Sequence, residues 1–197
     1  DLGLPTEQVP QLHEVTERLR PLTGWSYRAA PGLVPLRGFY ADLGERTFNS
    51  TQYLRHPSQP LYTPEPDIIH EVIGHANQLA SPRFAAITEA AGRASLRLES
   101  EEAMQFVADV FWFSIEFGVI AENGMPKADG AGILSSYGEM DEFGHLEIRP
   151  LDLHQMTFAM GESIAHMHAL WFRGKLARRL GDDGVLEFAE QHALVGA

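Results

Sequence analysis

The segment from residue 111 to residue 120 constrains the fold more than any other, because it is apolar along most of its length and carries a single carboxylate. Seven of its ten residues are large and apolar, so a helix built from it is buried around most of its circumference. Glu116 then enters the interior, where an unpaired carboxylate costs several kcal/mol or becomes protonated. A bound cation would compensate this charge. The alternative is a narrow polar strip shared with Asp109 on the same helical face.

Composition limits the donors that can hold such a cation. The 197 residues include no cysteine, which excludes disulfides, thiolate nucleophiles and cysteine-ligated metal sites. Any metal must therefore be bound by His, Asp or Glu. The 15 basic and 27 acidic residues give a net charge of −12, which would repel a phosphate backbone, so no nucleic-acid partner is expected.

His70 and His75 are a second candidate for metal binding. In the zincin pattern the two histidines stand at i and i+4, about 40° apart around an α-helix, whereas five residues turn an α-helix through about 140°. Either these are ordinary helix histidines, or the helix widens around residues 72–75 into a π-type turn that brings both rings together and that Gly74 would tolerate. Two neutral imidazoles and one carboxylate are the donors of non-haem iron(II) sites.

Periodicity and capping residues predict a mainly helical structure with short strands. Pro10 is expected in the first turn of the first helix, and Asp67 and Ser100 are expected as N-caps. The predicted helices are residues 10–24, 82–94, 101–120 and a segment starting at Asp67; the predicted strands are 25–29 and 47–54. Residues 25–58 are expected to be irregular α+β, with loops at Gly32, Pro35, Gly38 and Gly44. An extended loop is expected over the proline-rich residues 56–67, and a turn at residues 129–132.

The pattern is weaker after residue 150. Short helices are predicted at residues 151–158, 175–180 and 185–194, and residues 164–172 fit a helix or a strand. In a strand, His166 and His168 would point to one side, which makes them a rival pair of metal ligands. No linker divides the sequence, so residues 1–197 are expected to form a single α+β domain, mainly helical.

Five motifs carry a family resemblance: TQYLRH at residues 51–56, LYTPEPDIIHE at 61–71, Gly74-His75, FWFSIEFG at 111–118 and GAGILSS at 130–136. In this order they closely resemble the catalytic domain of the pterin-dependent aromatic amino acid hydroxylases. The similarity extends from about residue 10 to about residue 150, and the stretch from Tyr62 to His70 is highly specific. The sequence departs from the family at Phe111, where a tyrosine is usual, and at Asp129, where an aromatic residue is usual.

The resemblance implies a metal site and a substrate site. His70, His75 and Glu116 would bind iron(II). Arg55 would hold the substrate carboxylate, a role that suits the planar guanidinium group, with Thr63 and Ser135 helping. Four further residues would bind the aromatic amino acid: Pro66, Trp112, Phe117 and Gly132. Glu71 would act with Arg55, Thr63 and Ser135 in catalysis.

The resemblance also implies a tetrahydropterin site. Phe39 would stack on the pterin ring and Glu71 would hydrogen-bond near it. The remaining contacts would come from Gly32, Leu33, Val34 and Ala108. With O2 as cosubstrate, the expected activity is ring hydroxylation of a free aromatic amino acid, most simply L-phenylalanine. The alternatives are tryptophan or a modified aromatic amino acid as substrate, a metal-dependent hydrolase with Glu71 as base, and a catalytically silent pterin-binding protein.

Three expectations concern the surroundings of the protein. No segment has the roughly 20 apolar residues of a membrane span and no secretory signal is recognisable, so a cytoplasmic location without membrane contact is expected. Residues 185–197 are too short for the heptads by which the family forms tetramers, and no regulatory domain is recognisable. A monomer or weak dimer is therefore expected.

Overall fold

The computed structural model of the protein describes residues 2–32, 34–58, 60–61 and 66–145. The predicted helices at 151–158, 175–180 and 185–194, the segment 164–172, and His166 and His168 lie outside the described residues. The expectations of one domain over residues 1–197 and of a monomer or weak dimer involve those residues and stay predictions.

Helix predominates in the described part of the chain. Its α-helices are α1 (Leu12–Thr23), α2 (Leu36–Gly44), α3 (Asn77–Leu79), α4 (Pro82–Ser95), α5 (Glu101–Phe111), α6 (Ala131–Leu134) and α7 (Tyr137–Glu142). Two segments have the wider π geometry, π1 (His70–Ala76) and π2 (Trp112–Glu116), and a 3-10 turn (Phe143–His145) follows α7. The strands are β1 (Ser26–Ala29), β2 (Thr47–Ser50), β3 (Val119–Glu122) and β4 (Met125–Ala128). The predicted class, α+β and mainly helical with short strands, is confirmed. Within the described ranges, no helix has both the length and the apolar character needed to cross a membrane.

The first strand pair is parallel, with Tyr27 of β1 opposite Phe48 of β2. Parallel neighbours need a crossover connection, and α2 supplies it. The prediction of loops at Gly38 and Gly44 is therefore wrong, since both glycines lie in α2. Tyr40 and Leu43 of α2 are 2% and 0% exposed, and their burial outweighs the low helix propensity of Gly38.

The boundaries of α1 and α5 also differ from the prediction. Helix α1 begins at Leu12, so Pro10 is not in its first turn, and it ends as predicted before Gly24. Ser100 caps α5 as predicted, its hydroxyl accepting a hydrogen bond from the Ala103 N–H at 3.1 Å. The helical segment ends at residue 116 and not at 120, because the tight turn at Asn123-Gly124 pairs β3 with β4 in a hairpin.

The core is built around α1, the first strand pair, α2, α4 and α5. Its fully buried side chains include Val15, Leu19, Trp25, Leu43, Phe48, Leu79 and Met104. Helix α4 meets α2 at Gly92, where a Cβ atom would lie 2.7 Å from the carbonyl oxygen of Tyr40 and 2.7 Å from the carbonyl carbon of Leu43. The two backbones are therefore too close for any side chain at residue 92.

Asp67 connects the loop that precedes π1 to the start of that helix. Its fully buried carboxylate accepts hydrogen bonds from Arg55 Nε at 2.8 Å, Arg55 Nη2 at 2.7 Å and the Arg55 N–H at 2.9 Å. It also accepts from the His70 N–H at 3.1 Å, which is the bond of the predicted cap. Burial alone would raise the pKa of Asp67, but hydrogen bonds from Arg55 and His70 and the charge of Arg55 outweigh it and lower the pKa below 3.8.

The contact between α2 and α4 can be tested with two glycine variants. Gly92→Ala should lower the free energy of unfolding by about 1–3 kcal/mol, because its methyl group would push the helices apart. Gly38→Ala is the matched control in α2, where a Cβ has only Val34 Cγ1 at 3.6 Å, and it should raise the free energy by about 0.4–1 kcal/mol. Urea unfolding measures both changes. A change of the same sign in the free energy of unfolding of both variants would contradict the close contact between α2 and α4.

The Arg55–Asp67 pair can be tested through its pH dependence. Asp67→Asn leaves a buried guanidinium without its anion and should lower the free energy of unfolding by about 3–5 kcal/mol at pH 7. Because the pKa of Asp67 is lower in the folded than in the unfolded state, its contribution is complete above about pH 4 and disappears as the pH falls through the folded value. Urea unfolding at several pH values should show the difference between wild type and variant shrinking only in acid.

The control for this experiment is Glu101→Gln. It removes the anion that pairs with Arg37 at 2.7 Å on the surface, where both side chains are exposed. This substitution should change the free energy of unfolding by less than about 1 kcal/mol at every pH. If Asp67→Asn lowered the free energy of unfolding as little as the control does, the buried pair would not stabilise the loop.

Candidate metal centre

The segment that carries His70 and His75 is the π-helix π1, as the five-residue spacing predicts. In this wider turn both rings face one point, and their Nε2 atoms lie 3.0 Å apart. The interpretation as two unrelated helix histidines is excluded by this distance. Gly74 is required by packing, since a Cβ there would lie 2.8 Å from the Cβ of Ala131 in α6.

Glu116 reaches the same point from the end of π2. Its Oε1 lies 3.0 Å from His75 Nε2, and its Oε2 lies 3.6 Å from His70 Nε2. The predicted burial of Glu116 is confirmed, since the residue is 9% exposed. Asp109, the alternative partner in a polar strip, instead accepts a hydrogen bond from Gln105 Nε2 at 2.8 Å.

The three side chains together attract positive charge. Burial lowers the pKa of His70 to about 4, so its ring is neutral at pH 7. Burial would also lower the pKa of His75, but the carboxylate of Glu116 outweighs it and raises that pKa. Burial would raise the pKa of Glu116, but the two histidines outweigh it and lower that pKa.

A metal ion fits this donor set. Adjacent donors on an octahedral ion with bonds of about 2.1 Å are about 3.0 Å apart, close to the observed separations. The donor types, two imidazoles and one carboxylate, suit non-haem iron(II). No other group of three or more His, Asp or Glu side chains converges in this way in the part of the chain that the structure describes.

Ser135 determines which nitrogen of His70 carries the hydrogen. Its Oγ donates to the Ala131 carbonyl at 2.7 Å and lies 2.9 Å from His70 Nδ1. Because Ser135 donates its single hydroxyl hydrogen to the Ala131 carbonyl, its Oγ accepts from the Nδ1–H of His70. The lone pair of His70 is therefore on Nε2, directed at Glu116 and His75. The hydroxyl of Ser135 thus contacts a metal ligand, in addition to any role at the substrate.

Glu71 is buried next to His70 in the sequence and is held by Thr51. Its Oε1 accepts from the Thr51 N–H at 3.0 Å, and Thr51 Oγ1 lies 3.2 Å away. Burial raises the pKa of Glu71 to about 7, although His75 and Thr51 act in the opposite direction. Glu71 can therefore take up or release a proton near neutral pH. Sequence reasoning missed Thr51, although it opens the TQYLRH motif.

Two inward-facing strand residues support π1 and were also missed. Tyr27 donates its hydroxyl hydrogen to the Glu71 carbonyl at 2.8 Å. The ring of Phe48 lies 4.5 Å from the ring of His75, centroid to centroid. The alternation of polar and apolar residues in the sequence, at residues 26–29 and 47–49, is the signal that could have identified them.

Arg55 is buried and uses only part of its hydrogen-bonding capacity. Its Nε and Nη2 donate to Asp67, and its Nη1 donates to the Pro60 carbonyl at 3.4 Å. A guanidinium has five N–H donors, so one N–H on each terminal nitrogen has no acceptor among the described residues. The Nη1–Nη2 edge of the planar group is not the one that Asp67 binds, and such an edge can bind a carboxylate in bidentate fashion. Thr63, implied as a helper, lies outside the described residues.

Three residues implied to bind the substrate ring are brought together by π2 and α6. Trp112 and Phe117 pack at 5.0 Å between ring centroids. Gly132 lies against the ring of Phe117, since a Cβ at residue 132 would be 2.9 Å from Phe117 Cζ. Pro66, the fourth, is half-buried, and its carbonyl accepts from Thr51 Oγ1 at 2.6 Å.

The residues implied to bind the pterin lie around α2 and α5. Phe39 and Ala108 pack against the core. The ring of Phe39 lies edge-on to Tyr40, Phe48 and Phe111 at 5.4–6.2 Å. Phe48 in turn contacts His75, so this aromatic cluster borders the metal ligands. Gly32 and Val34 lie in the loop before α2, and Leu33 lies outside the described residues.

Comparison with known proteins agrees with this geometry. The family model described as biopterin-dependent aromatic amino acid hydroxylase matches residues 1–172. Phenylalanine 3-hydroxylase of Streptomyces coeruleorubidus is 49% identical over 156 residues, which are 79% of this chain and 56% of that protein. The chloroplastic phenylalanine 4-monooxygenase of Chlamydomonas reinhardtii is 49% identical over 133 residues, 68% of this chain and 37% of that protein. The chain thus spans between about a third and a little over half of these relatives.

Solved structures show the same fold. Apo phenylalanine hydroxylase of Colwellia psychrerythraea 34H has a TM-score of 0.73 at 36% identity, with 77% of this chain and 59% of that chain covered. Phenylalanine hydroxylase of Chromobacterium violaceum, with bound iron(III) and oxidised 7,8-dihydrobiopterin, has a TM-score of 0.71 at 35% identity, with coverages of 77% and 57%. By sequence and by fold, the chain belongs to the biopterin-dependent aromatic amino acid hydroxylases.

Proposed function

We propose that this protein is an iron(II)- and tetrahydropterin-dependent monooxygenase that uses O2 to hydroxylate the ring of free L-phenylalanine. The observation that carries the proposal is the buried convergence of His70, His75 and Glu116, each of which offers one ligand atom within 4.8 Å of those of the other two. Membership of the family supports the pterin, and relatives named as phenylalanine hydroxylases support the substrate.

The three donors would hold iron(II) on one side and leave its other positions open to small molecules. Iron(II) and the tetrahydropterin, when bound, supply the activation of O2 that ring hydroxylation needs. Ser135 keeps the Nε2 lone pair of His70 available by accepting its Nδ1–H. The aromatic cluster around His75 excludes water from this side of the site.

Arg55 would bind the carboxylate of the amino acid through the edge of its guanidinium that Asp67 leaves open. Because Asp67 binds the adjacent Nε–Nη2 edge with two hydrogen bonds, the guanidinium is oriented before the substrate arrives. Trp112, Phe117, Pro66 and Gly132 would border the substrate ring, and Thr63 would assist Arg55.

The pterin would lie by the loop before α2, with Phe39 stacked on it. Glu71 would hydrogen-bond to the pterin and hold or release a proton there, a role supported by its pKa of about 7. The other contacts would come from Gly32, Leu33, Val34 and Ala108.

The activity is tested by incubating the protein with iron(II), a tetrahydropterin, O2 and an equimolar pool of phenylalanine, tyrosine and tryptophan. The expected result is pterin-dependent addition of one oxygen atom to phenylalanine, detected by mass spectrometry. NMR of the product assigns the ring position, which matters because the relatives are named for two different positions. Product from tryptophan alone would contradict the proposed substrate.

Removal of a ligand should abolish metal binding. His70→Ala, His75→Ala and Glu116→Ala should each lose iron(II) binding at micromolar metal and all hydroxylation, because two donors do not hold the ion in competition with water. Metal content after anaerobic reconstitution and desalting measures the loss, and circular dichroism checks that the fold is kept.

His56→Ala is the matched control, since this exposed histidine contacts only Ser58 among the described residues and should leave metal content unchanged. His166→Ala and His168→Ala complete the set. Loss of iron in either of these variants, with iron retained in His75→Ala, would show that the ligands are assigned to the wrong histidines.

Arg55→Lys should weaken substrate binding without affecting the metal. The ammonium group of lysine lacks the planar edges with which a guanidinium can bind Asp67 and the substrate carboxylate together. KM for phenylalanine should therefore rise roughly 10- to 100-fold. Metal content should stay near that of wild type. Arg28→Lys, which changes a surface arginine paired with Asp42, is the control and should leave KM unchanged.

Phenethylamine, which lacks the carboxylate, makes the test sharper. If Arg55 binds the carboxylate, Arg55→Lys should weaken binding of phenylalanine much more than binding of phenethylamine. An equal loss for both compounds would indicate a general disturbance of the pocket and would contradict the assigned role.

A further inference from the structure

Gln78 is a buried polar residue that neither the motifs nor the proposed mechanism uses. It follows His75 by three residues, in α3, and is 5% exposed. Its Nε2 donates to the Ile115 carbonyl at 2.8 Å and to the Asp129 carbonyl at 2.8 Å. Ile115 immediately precedes Glu116, and Asp129 lies in the loop before α6. The amide therefore joins α3 both to the end of π2 and to the loop before α6.

These two bonds determine the orientation of the amide. Only an NH2 group can lie at hydrogen-bonding distance from two carbonyl oxygens, so the other end of the amide is Oε1. Oε1 is buried and has no well-formed hydrogen bond to any described residue. A buried acceptor without a donor is unfavourable by about 1–3 kcal/mol. A donor is therefore expected beside it.

His75 has the complementary requirement. Its ring is buried, and its Nε2 faces Glu116 Oε1 and His70 Nε2 at 3.0 Å each. If Nε2 binds the metal, the hydrogen of the neutral ring is on Nδ1 and needs an acceptor. Because α3 continues π1 without a break, residues 75 and 78 are three positions apart in one helical segment and their side chains lie on the same face. In agreement with this placement, Gln78 acts to raise the pKa of the His75 imidazole, as an acceptor does.

We propose that Gln78 is a positioning residue for the metal site, whose Oε1 accepts the Nδ1–H of His75 and so keeps the Nε2 lone pair of that ring directed at the metal. This role rests on the proposed metal site. It corresponds to the contact of Ser135 with His70, so that each histidine ligand has its own acceptor. In addition, the two N–H donors of Gln78 fix the position of the ring relative to π2 and to the loop before α6.

Two variants separate the acceptor from the donors. Gln78→Leu removes both functions and should weaken binding of Co(II), used as a stable stand-in for iron(II), about 10- to 100-fold. Gln78→Glu keeps an acceptor oxygen but lacks the two N–H donors, so its affinity should lie within a few-fold of wild type although its thermal stability falls. Affinity is measured by visible absorption in competition with a chelator.

Thr23→Val is the matched control. It removes a side-chain hydrogen bond of 2.8 Å to the Leu79 carbonyl, in the same short helix, without touching a metal ligand. If Gln78 only stabilised the packing of α3 against the neighbouring segments, the Gln78→Leu variant would bind Co(II) as tightly as the Thr23→Val variant. That result would overturn the proposal while leaving the metal site intact.

A measurement on the wild-type protein makes the test independent of variant folding. In the Zn(II)-loaded protein, nitrogen-15 NMR of the histidine rings, with each ring assigned through bonds to its own backbone, should show the metal on Nε2 and a slowly exchanging hydrogen on Nδ1 of His75. Metal on Nδ1 would overturn the proposal. Failure of the wild-type protein to bind any metal, or full binding by His75→Ala, would overturn the proposed metal site and this inference together.

Discussion

The arrangement of this protein depends on three buried donor atoms that must meet at one point. Two imidazole nitrogens lie 3.0 Å apart, with one oxygen of the Glu116 carboxylate 3.0 Å from His75 and the other 3.6 Å from His70, and this arrangement is unfavourable unless positive charge lies among them. Both segments that supply the donors leave α geometry where they do so, at π1 and π2. The backbone thus takes the wider π geometry where the donors converge. The glycines and the short helices beside π1 and π2 are part of the same arrangement.

The contacts around the donors fix their directions. Ser135 orients His70, Phe48 lies against His75, and Asp67 caps π1 while it holds Arg55. A single hydrogen bond, from the His70 N–H to Asp67, joins the candidate substrate residue to the candidate metal ligands. The candidate substrate and metal sites therefore share one support, which lets either be oriented before its ligand binds.

Local signals in the sequence predicted a large part of this arrangement. The spacing of His70 and His75 predicted the π turn, because five residues must complete one turn for the rings to meet, and the apolar run predicted the burial of Glu116. Helix α2 was missed because it depends on burial of Tyr40 and Leu43 against α4, which no local pattern reveals. The pairing of Arg55 with Asp67 likewise depends on the path of a loop that contains four prolines.

The π turns make the number of residues between ligands part of the chemistry. A π turn holds one more residue than an α turn, so removing a residue between His70 and His75 would restore a regular helix with four-residue spacing. The two rings would then still share one face, about 40° apart. Removing a residue while the wider turn persisted, or adding one without a wider turn, would instead turn one ring away from the other by about 100°. Gly74 would still have to lie opposite Ala131, because a Cβ there would be 2.8 Å from the Cβ of Ala131. The length of this segment and its helix type can therefore change only together, whereas a surface loop can change its length alone.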